Sequence, residues 1–352
     1  MRTLVSHFGK SGTIFRTSAK EIATIEGFSK KLASQLAHFK ESALFDDAQR
    51  YAEKQLSRMN KANAHVVTFW DIHYPEPLKK IYDPPPFLFV RGDIREEDKY
   101  SLALVGTRSP SEYGISIVEK LAQELVRLGI VIVSGLARGI DTVAHSTSVR
   151  NGGRTIAVIG SGLDVIYPPE NKSLFERITE HGAVISEYSM GAKPDAVNFP
   201  RRNRLISGLS LGTVVIETDI NGGAMITANT ALDQNREVFA VPGLVSNKRS
   251  RGCHALIKDG RAKLIENVED ILGELASKLR PLLKHPTHEE QPPADISLFE
   301  KSIYEALGDE PLHIDSIAER SAASTSDALV HLLSLEFKGL VKQLPGKLFI
   351  RR

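Results

Sequence analysis

The chain has 352 residues, 45 lysines and arginines against 43 aspartates and glutamates for a net charge of +2, and one cysteine, Cys253. That length exceeds one ordinary core and implies two or three domains, while 41% apolar and 25% charged residues are a globular mixture. A chain so near neutrality can hold a polyanion only through local clusters of Lys and Arg, and a lone cysteine excludes an internal disulfide or a multi-cysteine metal site.

Residues 1–7 lack the apolar run of a signal peptide, and no stretch approaches the ~18 apolar residues of a membrane span, so a cytoplasmic protein without a membrane partner is expected. Residues 1–62 read as a small helical domain. From 63 to 280, short β-branched runs recur at 102–105, 130–133, 156–159, 184–185, 214–216 and 238–241. Each is apolar on both faces, and amphipathic stretches such as 117–125 lie between them. That alternation predicts an extended Rossmann-like, doubly wound, mainly parallel α/β sheet. Residues 281–296, with four prolines between 281 and 295, have the composition of a linker. Residues 297–352 show three helical patterns, near 297–307, 313–320 and 325–338, and then a hairpin-like segment at 340–350. This order suggests a winged helix. Its recognition segment, Thr325 to His331, is poor in Arg and Lys, which favours contact with protein over groove reading.

Nearly every strand of the central domain ends in glycine or a small polar residue. The first leads into Gly106-Thr107-Arg108, the second into Ser134-Gly135-Leu136-Ala137-Arg138-Gly139, the third into Gly160-Ser161-Gly162 and the fifth into Gly222-Gly223. In any one loop glycine can serve only to turn the chain. Four such loops on one sheet edge describe a site for phosphate, with backbone N–H groups and helix N-termini as donors. Phe199-Pro200-Arg201-Arg202-Asn203-Arg204 then places three arginines at the start of a helix whose buried stripe is Leu205, Ile206 and Leu209. Cations there oppose the helix dipole unless a polyanion binds, or unless they form structural salt bridges with Glu187, Glu217 or Asp219. Phe199 fits either a core position or a platform for stacking a base.

Enzyme readings are weaker. Gly160-x-Gly162 begins like a dinucleotide fingerprint with Glu187 at ribose distance, but Val165 replaces the third glycine and Pro168-Pro169 follows. No Gly-Lys-Ser/Thr phosphate loop occurs. Asp141 and His145 share a helix face and could hold a metal, although a helix-start acid with a packed histidine is the commoner arrangement. No catalytic residue, metal or cofactor is expected.

The ordered motifs Val105-Gly106-Thr107-Arg108 with Tyr113-Gly114, Ser134 to Asp141 with Ala144-His145, Gly160 to Asp164 with Tyr167 to Asn171, Phe199 to Ser210, Val241-Pro242-Gly243 and Gly252 to Ile257 are very similar to those of the bacterial DNA processing protein A family (DprA, also called Smf). The resemblance spans residues 65–275. It implies single-stranded DNA binding at the Gly106–Arg108 loop, the Ser134-Gly135 loop, Asn171-Lys172 and the Phe199–Arg204 segment. It further implies transfer of that DNA to the RecA recombinase, displacing single-strand-binding protein, in natural transformation. Dimerisation is implied through Cys253, His254, Leu256, Ile257 and Leu264.

Three departures from the family pattern stand out. Asn221-Gly222-Gly223-Ala224-Met225 lacks a hydroxyl found there in relatives, and His254 replaces a frequent asparagine. Residues 24–33 resemble a helix-hairpin-helix turn with Ser29 for its second glycine, and Met1 falls late in the preceding unit, so a shortened N-terminal region is expected. The fold's relatives include phosphoribohydrolases. The alternative is therefore an enzyme acting on a nucleoside monophosphate or sugar phosphate, with Glu187 or Glu217 as its acid, and a third reading is a protein-only adaptor.

Overall fold

The computed structural model describes residues 2–9, 11–283, 297–307, 311–321, 323–338 and 340–351, which fall into two units, Met1–Lys284 and His285–Arg352. Five helices open the first unit: α1 (Arg2–Phe8), α2 (Ser11–Ile14), α3 (Ala19–Ile22), α4 (Lys30–Ala37) and α5 (Ala43–Lys61). Leu4, Val5, Ile14, Ile22, Ile25 and Ala33 form their own small core. Ser18 and Ser29 cap α3 and α4 by accepting from the N–H groups of Glu21 and Leu32, satisfying donors that a helix start leaves open. Helix α5 is tied to the rest of the unit where Gln55 and Arg58 donate to the Met190 carbonyl, at 3.3 and 3.2 Å.

The remaining elements of this unit follow in chain order: β1 (Ala64–Thr68), α6 (Glu76–Lys79), β2 (Phe87–Gly92), β3 (Ser101–Val105), α7 (Glu112–Arg127), β4 (Val131–Ser134), α8 (Ile140–Arg150), β5 (Thr155–Val158), α9 (Lys172–His181), β6 (Gly182–Ser186), α10 (Asn198–Leu209), β7 (Gly212–Val215), α11 (Gly223–Asp233), β8 (Glu237–Ala240), α12 (Arg251–Lys258), β9 (Lys263–Leu264) and α13 (Val268–Leu283). The sheet runs β1-β2-β6-β5-β4-β3-β7-β8-β9, parallel from β6 to β9, with β1 and β2 added antiparallel at one edge.

Successive residues of one strand enter opposite cores, as the two-residue period of a strand requires. Ala103, Val105, Val131 and Val133 face α10, α11 and α12, whereas Leu102, Leu104, Ile130 and Ile132 face α7, α8 and α13. Helices therefore cover both faces, and the strands read as continuous apolar runs. The sequence reading missed β1, β2 and β9, all at or near the sheet edges. Val66 in β1 and Phe87 in β2 are exposed, so those segments lack a fully apolar pattern.

Two expectations need correction. Cys253 and Leu256 are not at the surface but belong to the core beneath α12, leaving His254, Ile257 and Leu264 as the accessible members of that set. Burial pushes the Cys253 thiol up to about 12, so it is inert at neutral pH. Pro281 lies inside α13, so residues 281–283 of the expected linker are helical, and the rest of it, residues 284–296, lies outside the described residues.

The second unit contains α14 (Leu298–Ala306), β10 (Leu312–His313), α15 (Ile314–Arg320), α16 (Thr325–Phe337), β11 (Val341–Leu344) and β12 (Leu348–Arg351), with an antiparallel sheet β10-β12-β11. It is a winged helix packed around Ile303, Ile317, Leu332, Leu335 and Phe349. Buried Glu300 at the start of α14 accepts from the Ser297 N–H (2.7 Å), the Ser334 hydroxyl (2.6 Å) and Lys338 Nζ (3.0 Å). These donors, the Ser334 hydroxyl foremost, hold its carboxyl down at about 2.

The stabilisation from ionised Glu300 is complete above the unfolded value, about 4.3, and is lost as pH falls through about 2. Amide exchange of Leu332 and Leu335 in the full chain should therefore accelerate as pH falls across that window, once intrinsic rates are corrected. In Glu300→Gln that pH dependence should flatten. An unchanged pH dependence in the variant would exclude Glu300 as its source.

Candidate nucleic-acid interface

The connections from β3 and β7 leave in opposite directions, so the neighbouring ends of these two strands form the switch point of the sheet. Crevices outside such strand ends are where doubly wound sheets bind ligands. Here a cleft of about 700 Å³ opens, bounded by the Gly106–Arg108 loop after β3, Phe199 to Asn203 at the start of α10, and the Thr218 to Ala224 segment that leads into α11.

Phe199 lines the cleft. The Arg108 guanidinium lies 5.5 Å from its ring centroid on an exposed loop, and the Tyr167 ring centroid is 5.9 Å away. Arg202 lies 5.9 Å from the same ring but is only 4% exposed. Its Nη1 donates to the carbonyl of Gly135 at 2.6 Å and to that of Val158. Asp141, also buried, accepts from the N–H groups of Gly135 (3.1 Å) and Ala137 (3.3 Å). Desolvation lowers the Arg202 pKa to about 10, with Asp141 pulling the other way, so the guanidinium stays charged at neutral pH.

This cluster fixes the loop around it. A Cβ at Gly135 would lie 2.6 Å from Arg202 Nη1 and 2.7 Å from the Asp141 carboxylate, so only glycine fits. Leu136 adopts φ +56 with its side chain buried, a left-handed conformation that a bulky residue holds only where the surroundings enforce it. Asn171 supplies part of that enforcement by donating to the Leu136 carbonyl (2.9 Å) and to the Thr142 hydroxyl (2.8 Å). At Gly139 (φ +77) a Cβ would strike the carbonyls of Thr107 and Arg108, and Ile140 N donates to the Thr107 carbonyl at 3.2 Å. The two loops are stitched edge to edge.

The predicted residues divide accordingly. Arg108, Lys172 and Arg201 are exposed, and among the described residues none has a carboxylate within salt-bridge distance, although Arg201 is near enough to Glu187 for its charge to favour the ionised carboxylate. Asn203, Gly222 and Gly223 line the cleft; α11 starts there without a side-chain cap, and the space above Gly223 is open. Arg202 is a correction, because its charge faces protein carbonyls and is unavailable to an external phosphate. Arg204 pairs with Glu187 at 2.5 Å and Asp83 at 3.8 Å, the structural salt bridge foreseen as the alternative. Arg138 pairs with Glu170 on the surface. The Ser134 hydroxyl is buried and donates to the Leu104 carbonyl at 2.6 Å, and Gly106 packs on Ile140.

The acid candidates are occupied as well. Glu217 accepts from the N–H (2.8 Å) and hydroxyl (2.5 Å) of Ser111, filling the positive end of α7, where the sequence left room for a phosphate. Neither Glu187 nor Glu217 lines the cleft. The Nδ1 of buried His145 meets the Thr155 hydroxyl at 2.7 Å, and desolvation lowers its pKa to about 3, so it is a packed neutral histidine. Among the described residues no group of three or more His, Cys, Asp or Glu gathers to hold a metal. Gly162 serves packing, since a Cβ there would sit 2.6 Å from the Ser189 carbonyl. The roles of Asp141 as loop anchor, Glu217 as helix cap and Tyr167 as neighbour of Phe199 were not read from the sequence. The roles of Glu217 and Tyr167 depend on partners far along the chain, and that of Asp141 on the turn that brings the N–H groups of Gly135 and Ala137 to it.

Comparison with known proteins decides the family. The family model described as DNA recombination-mediator protein A matches residues 65–276, and the DprA winged helix domain matches 287–347. The chain belongs to the DprA/Smf family. Smf of Escherichia coli is 38% identical over 84% of this chain and 79% of its own length, and Smf of Synechocystis is 34% identical over 100% and 94%. An X-ray structure of DprA from Streptococcus pneumoniae superposes with a TM-score of 0.62 at 40% identity, covering 73% of this chain and 86% of the other. DprA from Helicobacter pylori, whose structure was described for its single-stranded DNA binding mode, gives 0.55 at 30% identity, covering 62% and 98%. These matches support a DNA-processing role for the chain.

Arg202 and Arg201 are adjacent in this DprA/Smf motif and should behave oppositely in stability. Arg202→Met leaves Asp141 and two carbonyls without their buried cation and should cost ~3–5 kcal/mol. Arg201→Met, on the surface, should stay within ~0.5 kcal/mol of wild type. Urea unfolding followed by the fluorescence of Trp70, the chain's single tryptophan, measures both. Equal effects of the two variants would overturn the division.

Proposed function

We propose that the cleft at the β3–β7 switch point holds the phosphates of single-stranded DNA without altering them chemically. The observation that carries this reading is the exposed Arg108 guanidinium, with no carboxylate in salt-bridge reach among the described residues, 5.5 Å from the half-buried Phe199 ring, with exposed Arg201 two residues further along the chain. Phosphates lie on the two guanidinium groups and on the uncapped start of α11 at Gly222-Gly223, while Phe199 stacks a base. Lys172 adds charge beyond Asn171. Thr107 and Asn203 supply neutral donors at the cleft's wall.

The single-stranded DNA binding described for the Helicobacter pylori relative supports this ligand. The recombination-mediator family model supports the wider role: the chain protects incoming single strands in the cytoplasm, displaces single-strand-binding protein and loads RecA during natural transformation. A homodimer through the β9 edge fits the exposed Leu264 and the unpaired side of that short strand. An acid-catalysed hydrolysis by Glu187 or Glu217 finds no support in their geometry, because both carboxylates are held by protein donors outside the cleft.

Binding of labelled oligo-dT across a salt series should fall steeply with salt. Arg108→Ala and Arg201→Ala should each flatten the log–log slope by ~0.7, one phosphate's share on a single strand. Phe199→Ala should weaken binding by ~1–3 kcal/mol at every salt concentration. A salt-independent affinity, or release of free base from nucleotides with no binding of the oligomer, would overturn the reading.

A further inference from the structure

We propose that a strand seated in the cleft continues over the β3–α7 loop into a second slot that accepts nucleobases beside Tyr113. This rests on the single-stranded DNA reading of the cleft and extends its path. The slot, about 730 Å³, lies between the start of α7 (Ser111 to Tyr113) and the loop after β8 (Pro242 to Leu244, and Asn247). The Tyr113 hydroxyl donates to the Pro242 carbonyl at 2.8 Å, which pins the ring while 46% of the residue remains exposed. Across the slot Leu244 is 74% exposed, and Val245 follows it at 86%. A fixed aromatic face with an apolar wall opposite is suited to stacking a base, whatever its identity.

A cationic turn joins this slot to the cleft. Asn247 lines the slot and accepts from Arg249 N at 3.0 Å. Arg249 Nε donates to the Ser109 carbonyl at 2.7 Å, one residue beyond Arg108. Lys248 pairs at 3.4 Å with Asp219, which lines the cleft. Ser250 presses against Gly243, where a Cβ would collide with its side chain. Arg251 follows, exposed and without a carboxylate partner among the described residues. Lys248 thus reaches the cleft wall through Asp219 and Arg249 reaches the slot wall through Asn247, with Arg251 two residues further on, and Glu112 is the one carboxylate on the slot's lining. Charge of that sign at the rim of an apolar slot selects an amphipathic polyanion over an apolar protein face. Tyr113 is five residues beyond Arg108 in the chain, a reach of at most ~3.6 Å per residue, so a few nucleotides bridge the two sites.

The test compares the full chain on labelled oligo-dT of about six and about twenty nucleotides at one salt concentration, lengths that bracket a single-strand site. Tyr113→Ala and Arg251→Ala should each lose about tenfold on the longer oligomer and nothing on the shorter. Tyr113→Phe, which keeps the ring, should match wild type on both. Wild-type affinity of Tyr113→Ala for the longer oligomer would overturn the slot. So would a Leu244→Ser chain that sediments as a smaller species yet binds the longer oligomer normally, since the slot would then belong to a second copy. If wild type binds neither length, the cleft reading itself fails and the slot with it. Should Tyr113→Ala not fold, photocrosslinking of bromouracil-substituted oligomer to wild type decides. Adducts at Tyr113 support the slot, and adducts confined to Tyr167 and Phe199 overturn it.

Discussion

The guanidinium of Arg202 rests on the carbonyls of Gly135 and Val158 with Asp141 alongside, beneath the ring of Phe199. Losing one member would leave a buried charge or carbonyl unpaired, which is why the surrounding loop tolerates Leu136 at a positive φ and admits no Cβ at Gly135. Through Gly139 and Ile140 the constraint reaches the Thr107 carbonyl, and so the loop that carries Arg108. A buried charge of this kind is weak evidence for stability as such. Its consequence here is geometric, because the loop that presents exposed Arg108 is bonded to the loop it fixes.

The arginines of the α10 motif share one stretch of six residues and have three different fates. Arg202 organises the interior, Arg204 is neutralised by Glu187, and Arg201 is left to solvent. Composition treats them alike, and position on the helix separates them. A stretch that looks strongly basic therefore contributes one available cation, supplemented by Arg108 from the loop after β3 and Lys172 from the start of α9. A net charge of +2 suffices for binding a polyanion when the free cations are gathered at one sheet edge.

Much of the fold was legible in the sequence, because strands buried on both faces and βαβ spacing leave a local signature. The six parallel strands from 101 to 240 carry it, and the edge strands β1, β2 and β9 do not. The glycine loops that the sequence places at strand ends do converge on one cleft. The role of each residue was not legible. Ser134 and Arg202 look like ligands until Leu104 and Val158 are seen to accept from them, and Glu217 looks like a free acid until Ser111 covers it. Cys253 and Leu256 were placed at an interface by the family resemblance, which does not say which way a short helix faces, and here their side chains turn into the core shared with β7 and β8.

The central claim is that the switch-point cleft, held rigid by Arg202, is where the strand lies. Amide hydrogen exchange of the full chain, with and without saturating oligo-dT, tests it most directly. The account predicts new protection at Thr107-Arg108, Asn203 and Gly222 to Ala224, with the amides of α1 to α4 unchanged. Protection confined to α1–α4 or to the winged helix, with the cleft exchanging as in the free chain, would contradict it.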